Sequence, residues 1–157
     1  MNLVLNPPTV VRDIALLVAR VLLGVVLIAH GLQKFVTWTL AGTAEAFGQM
    51  GVPAASVSAP VAAVIELVGG VLLLVGLFAP IAGLLVALQM GVAAVLVHVG
   101  NGVFVSENGW ELVAVIAAAA LAVGVAGAGR YSVDSWLRGR RSTSAAVSAD
   151  ERESVNA

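Results

Sequence analysis

Four long apolar stretches constrain the fold of this chain more than any other feature of its sequence. They cover residues 14–32, 57–78, 81–99 and 112–128. Each has about 17–22 residues, the length that an α-helix rising about 1.5 Å per residue needs to cross a hydrocarbon core of about 30 Å. The mean hydropathy of +1.02 and the charged fraction of 11% are also typical of membrane proteins. The sequence therefore predicts an all-α, membrane-embedded, antiparallel four-helix bundle.

The composition also excludes several functions. The formal net charge is −1 and the sequence has no basic patch with interleaved aromatic residues, so we expect no nucleic-acid partner. Because there is no cysteine, the chain cannot itself perform thiol–disulfide exchange, ligate an iron–sulfur cluster or hold a thiolate zinc site. The partner that the composition indicates is the lipid bilayer.

The chain divides into three parts. Residues 1–12 form a short leader, and residues 13–136 contain the four apolar stretches as one transmembrane domain. Residues 137–157 are polar and have no periodic apolar face, so we expect a disordered tail.

A short helix is predicted in the long connection between the first two apolar stretches. Thr43 is a candidate N-cap, Phe47 and Met50 are three residues apart, and Gly51 provides a stop signal. We expect this amphipathic segment to lie at the membrane interface, with Trp38 as an interfacial aromatic residue.

Basic residues near the ends of the apolar stretches predict the orientation. Arg12 precedes the first stretch, and Arg130, Arg138, Arg140 and Arg141 follow the fourth, which after four crossings lies at the same membrane face. Lys34 is the basic residue at the opposite face. Because cytoplasmic segments carry an excess of Lys and Arg, we expect a multi-pass protein of the plasma (inner) membrane with both termini in the cytoplasm.

Three polar residues within the apolar stretches form a candidate layer near the middle of the membrane. Arg20 and Glu66 differ in depth by roughly 7–8 Å when the rise per residue is counted from the helix centres, and Gln89 lies near the centre of the third stretch. A charge buried alone in lipid is very costly, so we predict a buried ion pair between Arg20 and Glu66, with Gln89 beside it.

A second polar group lies toward the outer face. His30 and Lys34 are one helical turn apart, while His98 ends the third stretch and Glu111 precedes the fourth. We predict that these residues, with Glu66, line an outward-facing pocket covered by the interfacial helix. Gln89 and His98 are nine residues apart, about half a turn out of phase, so they should not share one helix face.

Simpler roles exist for several of these residues. Lys34 could be an anchor that extends its ammonium to the interface, and Glu111 could be a first-turn charge favoured by the helix dipole. Arg20 and Glu66 could form a purely structural pair, and His98 could be an ordinary interfacial residue.

The two histidines could contribute to a haem site or to a metal site. His30 and His98 occur at similar depth on different helices, as axial ligands of a b-type haem would, and Glu111 could join them around a divalent metal. The chain has few aromatic residues to flank a porphyrin and no closely spaced histidine pair. We therefore predict no metal site and do not expect haem.

Several local motifs resemble one known membrane family. They are RVLLG at 20–24, HGLQK at 30–34, GTA at 42–44, MGVP at 50–53, ELVGG at 66–70, GLF at 76–78, His98, NGVF at 101–104, NGWE at 108–111 and GAGRYS at 127–132. In order and spacing they resemble the DoxX family over residues 13–136.

The resemblance implies a small four-helix inner-membrane protein. DoxX proteins are linked to thiosulfate:quinone oxidoreductase systems and to membrane complexes of oxidative stress. The implied role is therefore an accessory subunit that binds a quinone and partners with other membrane or extracytoplasmic redox proteins. The positions it implicates are His30, Lys34, Glu66, His98 and Glu111, without an assigned catalytic residue. Catalysis by the chain itself and oligomerisation stay open, as do two other functions, a non-catalytic scaffold and a small-molecule or proton transporter.

Overall fold

The structure is a computed structural model and describes residues 8–140. Most of the predicted leader, and residues 141–157 of the predicted disordered tail, lie outside the described residues. Within 8–140 the chain is helical and has no strand. The α-helices are α1 Thr9–Leu32, α2 Thr39–Gln49, α3 Ala55–Val75, α4 Ala79–Ala93, α5 Glu111–Ala126 and α6, residues 133–140.

Two of the long helices continue beyond their regular part through a π-helical turn. α1 continues into Gln33–Thr37, where the Trp38 N–H donates to the Gln33 carbonyl five residues earlier. α4 continues into Ala94–His98 and then into a short 3₁₀ turn, Val99–Asn101. A π turn accommodates one extra residue, so it shifts the phase of every side chain after it.

Three helical segments are long and apolar enough to cross a bilayer. They are Thr9–Thr37 with 29 residues, Ala55–Val75 with 21 and Ala79–Asn101 with 23. α5 is also apolar but has 16 residues, which is short for a full crossing. The prediction of an all-helical membrane protein is confirmed at this level.

Small residues allow the helices to approach closely in two antiparallel pairs. In the α1–α3 pair, a Cβ added to Gly24 would lie 2.8 Å from the Gly70 carbonyl oxygen, and one on Gly31 would lie 2.8 Å from the Leu67 backbone nitrogen. In the α4–α5 pair, a Cβ on Gly83 would lie 2.5 Å from the Ala120 carbonyl oxygen. Such close backbone contact is how helices gain packing energy where lipid is as apolar as the side chains.

The core lies between these pairs, because α3 also packs on α4 and α1 also touches α5. Leu27, Leu73 and Val86 are among its fully buried side chains. Large apolar side chains on the outside of the helices stay exposed, including Leu22 at 63% and Val125 at 88%. An exposed apolar surface of this extent is expected of a protein whose solvent is lipid.

The predicted short helix between the first two long helices is present as α2, and its start differs from the prediction. α2 begins at Thr39, whose φ is +62° and whose Oγ1 accepts a hydrogen bond from the Gly42 N–H at 3.2 Å. Thr43, the predicted N-cap, is a buried residue in the helix interior. The π turn ends at Thr37 and the positive φ of Thr39 breaks the helix there, so α2 starts directly after it. The location of α2 at the membrane interface stays a prediction.

Candidate functional site

A buried carboxylate on α3 forms the centre of the site. Glu66 is 4% exposed, and both of its side-chain oxygens have partners. Lys34 Nζ donates to Oε2 at 2.6 Å, and Gln89 Nε2 donates to Oε1 at 2.9 Å. The cluster therefore joins α1, α3 and α4 through one ionised acceptor, and we call Lys34, Glu66 and Gln89 the polar triad.

Lys34 reaches the triad from the π turn that follows α1. It is 8% exposed, and its backbone carbonyl lies 3.2 Å from the Thr43 hydroxyl of α2, which also donates to the Thr39 carbonyl at 2.8 Å. Thr43 is 1% exposed, so this contact is shielded from solvent. A π turn leaves backbone carbonyls without regular partners, and here a side chain of the next helix meets one of them.

Burial of the triad costs electrostatic free energy, because its charged and polar atoms are removed from water. A buried ion pair stabilises only when its geometry is good and its remaining atoms are satisfied, and removing one partner leaves an uncompensated buried charge. Gln89 Oε1 is buried with no hydrogen-bond partner, so one acceptor of the triad is unsatisfied. Ionisable residues in membrane-spanning segments generally mark functional sites, which makes the triad the first candidate in this chain.

The predicted ion pair between Arg20 and Glu66 is wrong. Arg20 instead donates through Nη1 to the Leu74 carbonyl at 3.2 Å and through Nη2 to the Tyr131 carbonyl. The first reason is register: Gly24 lies against Gly70 and Leu74, and Gly31 against Leu67, so Arg20 is level with the end of α3 and not with Glu66. The second is the direction of helical side chains, which tilt toward the N-terminus of their own helix. Because α1 and α3 are antiparallel, Arg20 and Glu66 tilt away from each other, while Lys34 and Glu66 tilt toward each other.

Arg20 is nevertheless accommodated in a buried position, at 2% exposure. Its guanidinium lies at the C-terminal end of α3, where the helix dipole and the free carbonyls favour a cation. Gly76 follows that end with φ +70°, and a Cβ there would lie too close to Arg20. Glycine at this position therefore satisfies both the left-handed turn and the space that the arginine fills.

His98 and Glu111 hold a loop and are not part of the triad. His98 Nδ1 lies 2.8 Å from the Asn108 carbonyl, and Glu111 Oε1 accepts the Val105 N–H at 2.6 Å. Gln89 and His98 have different partners, Glu66 and the Asn108 carbonyl. The five residues predicted to line one outer pocket have separate partners in the structure: Lys34 and Glu66 pair with each other, His98 and Glu111 bind the backbone of the loop 102–110, and His30 binds its own helix.

His30 lies on a third feature, a shallow groove on the flank of α1. The groove is lined by Ala29, His30, Leu32, Gln33, Val36 and Thr37. His30 Nδ1 lies 2.9 Å from the Val26 carbonyl, so a neutral imidazole that donates there presents Nε2 as an acceptor. Leu32 and Val36 are exposed at 45% and 74%, which places the groove on the outer surface of the helices.

The histidines are held separately by backbone carbonyls, His30 by its own helix and His98 by the loop. In the part of the chain that the structure describes, no group of three or more His, Asp or Glu side chains is arranged to hold a metal ion.

Sequence reasoning missed Thr43 as a part of the site and paired Glu66 with the wrong cation. A buried threonine that follows a π turn has no sequence signal of its own. The Lys34–Glu66 contact, by contrast, could have been found from side-chain tilt in an antiparallel helix pair.

The family model described as DoxX matches residues 15–99, which is more than half of the chain. The chain belongs to the DoxX family. The matched range of this DoxX protein contains the polar triad, α2 and the groove beside His30, whereas α5 and the segment after it lie outside the match. No curated protein and no solved structure matches the chain.

Proposed function

We propose that this DoxX protein is an accessory subunit of a quinone-linked membrane redox system and that it binds a quinone headgroup in the groove beside His30. The observation that supports this proposal is the chemistry of the groove. It combines the polar side chains His30, Gln33 and Thr37 with apolar neighbours, and it opens on the exposed flank of α1. That combination suits an amphipathic ligand whose tail stays in lipid and whose polar head forms hydrogen bonds.

Each polar group of the groove has a defined part in this proposal. His30 Nε2 would accept the hydroxyl proton of a quinol, and the Gln33 amide or the Thr37 hydroxyl would donate to a quinone carbonyl. The triad fixes the π turn that carries Gln33 and Thr37. In this proposal the chain binds and positions the ligand, and a partner protein supplies the electrons.

The proposal includes a fold of four crossings over residues 13–136 in the plasma membrane, with both termini cytoplasmic. Two contacts support it. α5 returns antiparallel to α4, since Gly83 near the start of α4 meets Ala120 and Gly124 near the end of α5. The Arg130 N–H then donates to Asp13 Oδ1 at 3.1 Å, which brings the chain after α5 back to the start of α1.

Quinone binding to the purified protein in nanodiscs tests the proposal. We expect saturable binding of ubiquinone or menaquinone analogues above empty nanodiscs. His30→Ala should weaken it by about tenfold, the effect of losing one hydrogen bond of about 1.4 kcal/mol. His98→Ala is the matched control, because that ring is also held through Nδ1 by a backbone carbonyl but lies away from the groove. Binding equal to empty nanodiscs, or equal losses in both variants, would refute it.

A scaffold role is the second candidate, and the loop 102–110 favours it. Val103, Phe104 and Val105 in this loop are exposed at 44%, 62% and 53%, although His98 and Glu111 hold its backbone in place. A fixed loop with apolar side chains suits a protein partner. A photocrosslinking residue at position 104 should then capture a protein in native membranes, and crosslinks to lipid alone would reject this role.

A transporter is the third candidate and has less support. Both oxygens of Glu66 are engaged within the triad, so a cargo ion would have to compete with Lys34 and Gln89 for the carboxylate. Flux through proteoliposomes at the rate of empty liposomes would reject it.

A further inference from the structure

The segment after α5 combines exposed aromatic and apolar side chains with arginines. Tyr131, Trp136 and Leu137 are exposed at 49%, 58% and 38%. Arg130 and Arg140 are exposed as well, and the Arg140 guanidinium lies 4.7 Å from the centre of the Trp136 ring. Tryptophan and tyrosine concentrate at membrane interfaces, where one part of the ring is in contact with lipid and the other with water.

Four polar contacts hold this segment at one end of the helices, and in one of them the Asp134 N–H donates to the Gly76 carbonyl at 3.1 Å. The Arg130 N–H donates to Asp13 Oδ1 at 3.1 Å, Arg20 donates to the Tyr131 carbonyl, and the Phe78 N–H donates to Asp134 Oδ1 at 3.2 Å. The contacts reach α1 and the turn between α3 and α4. α6 therefore starts from a fixed position beside the ends of three long helices.

The charge of this end is opposite to that of the other end. Residues 129–140 contain Arg130, Arg138 and Arg140 against one acidic residue, Asp134, whose carboxylate accepts a backbone N–H. At the other end of the described chain Lys34 is paired with Glu66, and the further charged side chains are Glu45, Glu107 and Glu111. Among residues 8–140, complementarity to an anionic surface is thus found at the end that carries α6.

We propose that residues 130–140 form a binding site for the headgroups of anionic phospholipids. Trp136, Leu137 and Tyr131 enter the interface, and the arginines contact lipid phosphates. Guanidinium groups bind phosphate through paired, charge-assisted hydrogen bonds. Basic residues next to a membrane helix are attracted to an anionic leaflet over about one Debye length. The proposal does not depend on quinone binding.

Tryptophan fluorescence in nanodiscs tests the site, because the chain has three tryptophans, at 38, 110 and 136. The variant Trp38→Phe/Trp110→Phe leaves Trp136 as the reporter in the full chain. At equal mole fraction, we expect brominated phosphatidylglycerol to quench Trp136 about threefold more than brominated phosphatidylcholine, since each basic residue near the surface adds attraction. The preference should decrease with added salt.

Substitutions of the arginines in the Trp38→Phe/Trp110→Phe variant distinguish an effect of their charge on lipid preference from an effect on folding. Replacing Arg130, Arg138 and Arg140 by Gln should equalise quenching by the two lipids, and replacing them by Lys should retain most of the preference. A matched reporter, Trp38 alone, should show no preference, because it lies at the acidic end. Equal quenching in the arginine-containing protein, or an unchanged preference in the Gln variant, would overturn the proposal. Absence of quenching by either lipid would also overturn it and would indicate that protein, such as a second copy of the chain, covers Trp136.

Discussion

Arg20 and Lys34 are two buried cations on the same helical segment, and the fold accommodates them differently. Lys34, at 8% exposure, has a carboxylate partner, whereas Arg20, at 2% exposure, is held by two backbone carbonyls. The difference follows from position along α1. Lys34 tilts toward a carboxylate that tilts toward it, while Arg20 tilts toward the end of α3, where free carbonyls are available.

The comparison shows that a buried cation does not imply a buried anion. Lys34 joins the three long helices through the triad, so its charge is balanced by a formal charge. Arg20 joins the end of α3 to the segment after α5, and its charge is balanced only by dipoles. Loss of the Glu66 carboxylate beside Lys34 should therefore reduce the stability of the fold far more than loss of the hydrogen bonds of Arg20.

The largest effect is expected for Glu66→Gln. It leaves the Lys34 ammonium buried without an anion, and breaking a buried pair in this way costs about 3–5 kcal/mol. Unfolding of the purified protein by a denaturing detergent measures this loss. Glu45→Gln, at an exposed position, is the control and should change stability by less than about 0.5 kcal/mol. A Glu66→Gln protein as stable as the control would contradict the role assigned to the pair.

The double variant Lys34→Met/Glu66→Leu sharpens the comparison. Well-packed apolar residues often replace a buried ion pair without loss, so we expect recovery of most of the stability lost in Glu66→Gln, to within about 1–2 kcal/mol of the original chain. The same detergent titration measures it. If the double variant retains stability but loses quinone binding, the triad serves the groove in addition to the fold. A double variant no more stable than Glu66→Gln would mean that packing, not charge, dominates this position.

A smaller effect is expected for Arg20→Leu. It removes two hydrogen bonds from a charged donor, at about 1.5–3 kcal/mol, but it leaves no buried anion unpaired. The loss should appear mainly in the segment after α5, so limited trypsin cleavage after Arg130 should become faster. Arg20→Lys keeps the charge but not the contact through two nitrogens, so its cleavage rate should lie between those of the original chain and of Arg20→Leu. Cleavage at an unchanged rate in Arg20→Leu would show that the Tyr131 contact does not hold the segment.

The smallest effect is expected for Thr43→Val. It removes the hydroxyl that meets the carbonyls of Lys34 and Thr39, at about 1–2 kcal/mol for a buried hydrogen bond. Hydrogen exchange of the backbone amides in α2 measures the loosening locally. Thr37→Val is the control, because Thr37 is exposed. Equal exchange in both variants would mean that α2 is held by its packing on α3 alone.

Much of the fold could be predicted from hydropathy, because the membrane imposes a length on each segment. The long helices follow from that pattern, whereas the existence of α2 follows from the spacing of Phe47 and Met50 and from the stop signal at Gly51. The π turns could not be predicted, since they depend on how α1 and α4 end against their neighbours. The second half of α6, residues 137–140, falls in the predicted disordered tail, because the sequence from residue 137 has no periodic apolar face.

The candidate site was predicted less well than the fold. The sequence indicates Glu66 and Gln89 as buried polar candidates and Lys34 as a residue of the outer polar group. Depth along the membrane, without the direction of the side chains, pairs Glu66 with Arg20. Glu111 and His98 were grouped with Lys34 because all lie near one face of the membrane. Their hydrogen bonds to the loop backbone are local, and nothing in the sequence pattern distinguishes such bonds from a ligand site.

The π turn at Gln33–Thr37 has a consequence for how this helix tolerates changes of length. Deleting one residue there would let a regular α-helix form, and the chain beyond it would rotate by about 100° per residue removed. α2 would then emerge on a different side of α3. Loops nearby can gain or lose residues at little cost, but this turn acts as a spacer whose residue number is fixed by the direction in which the next helix must leave.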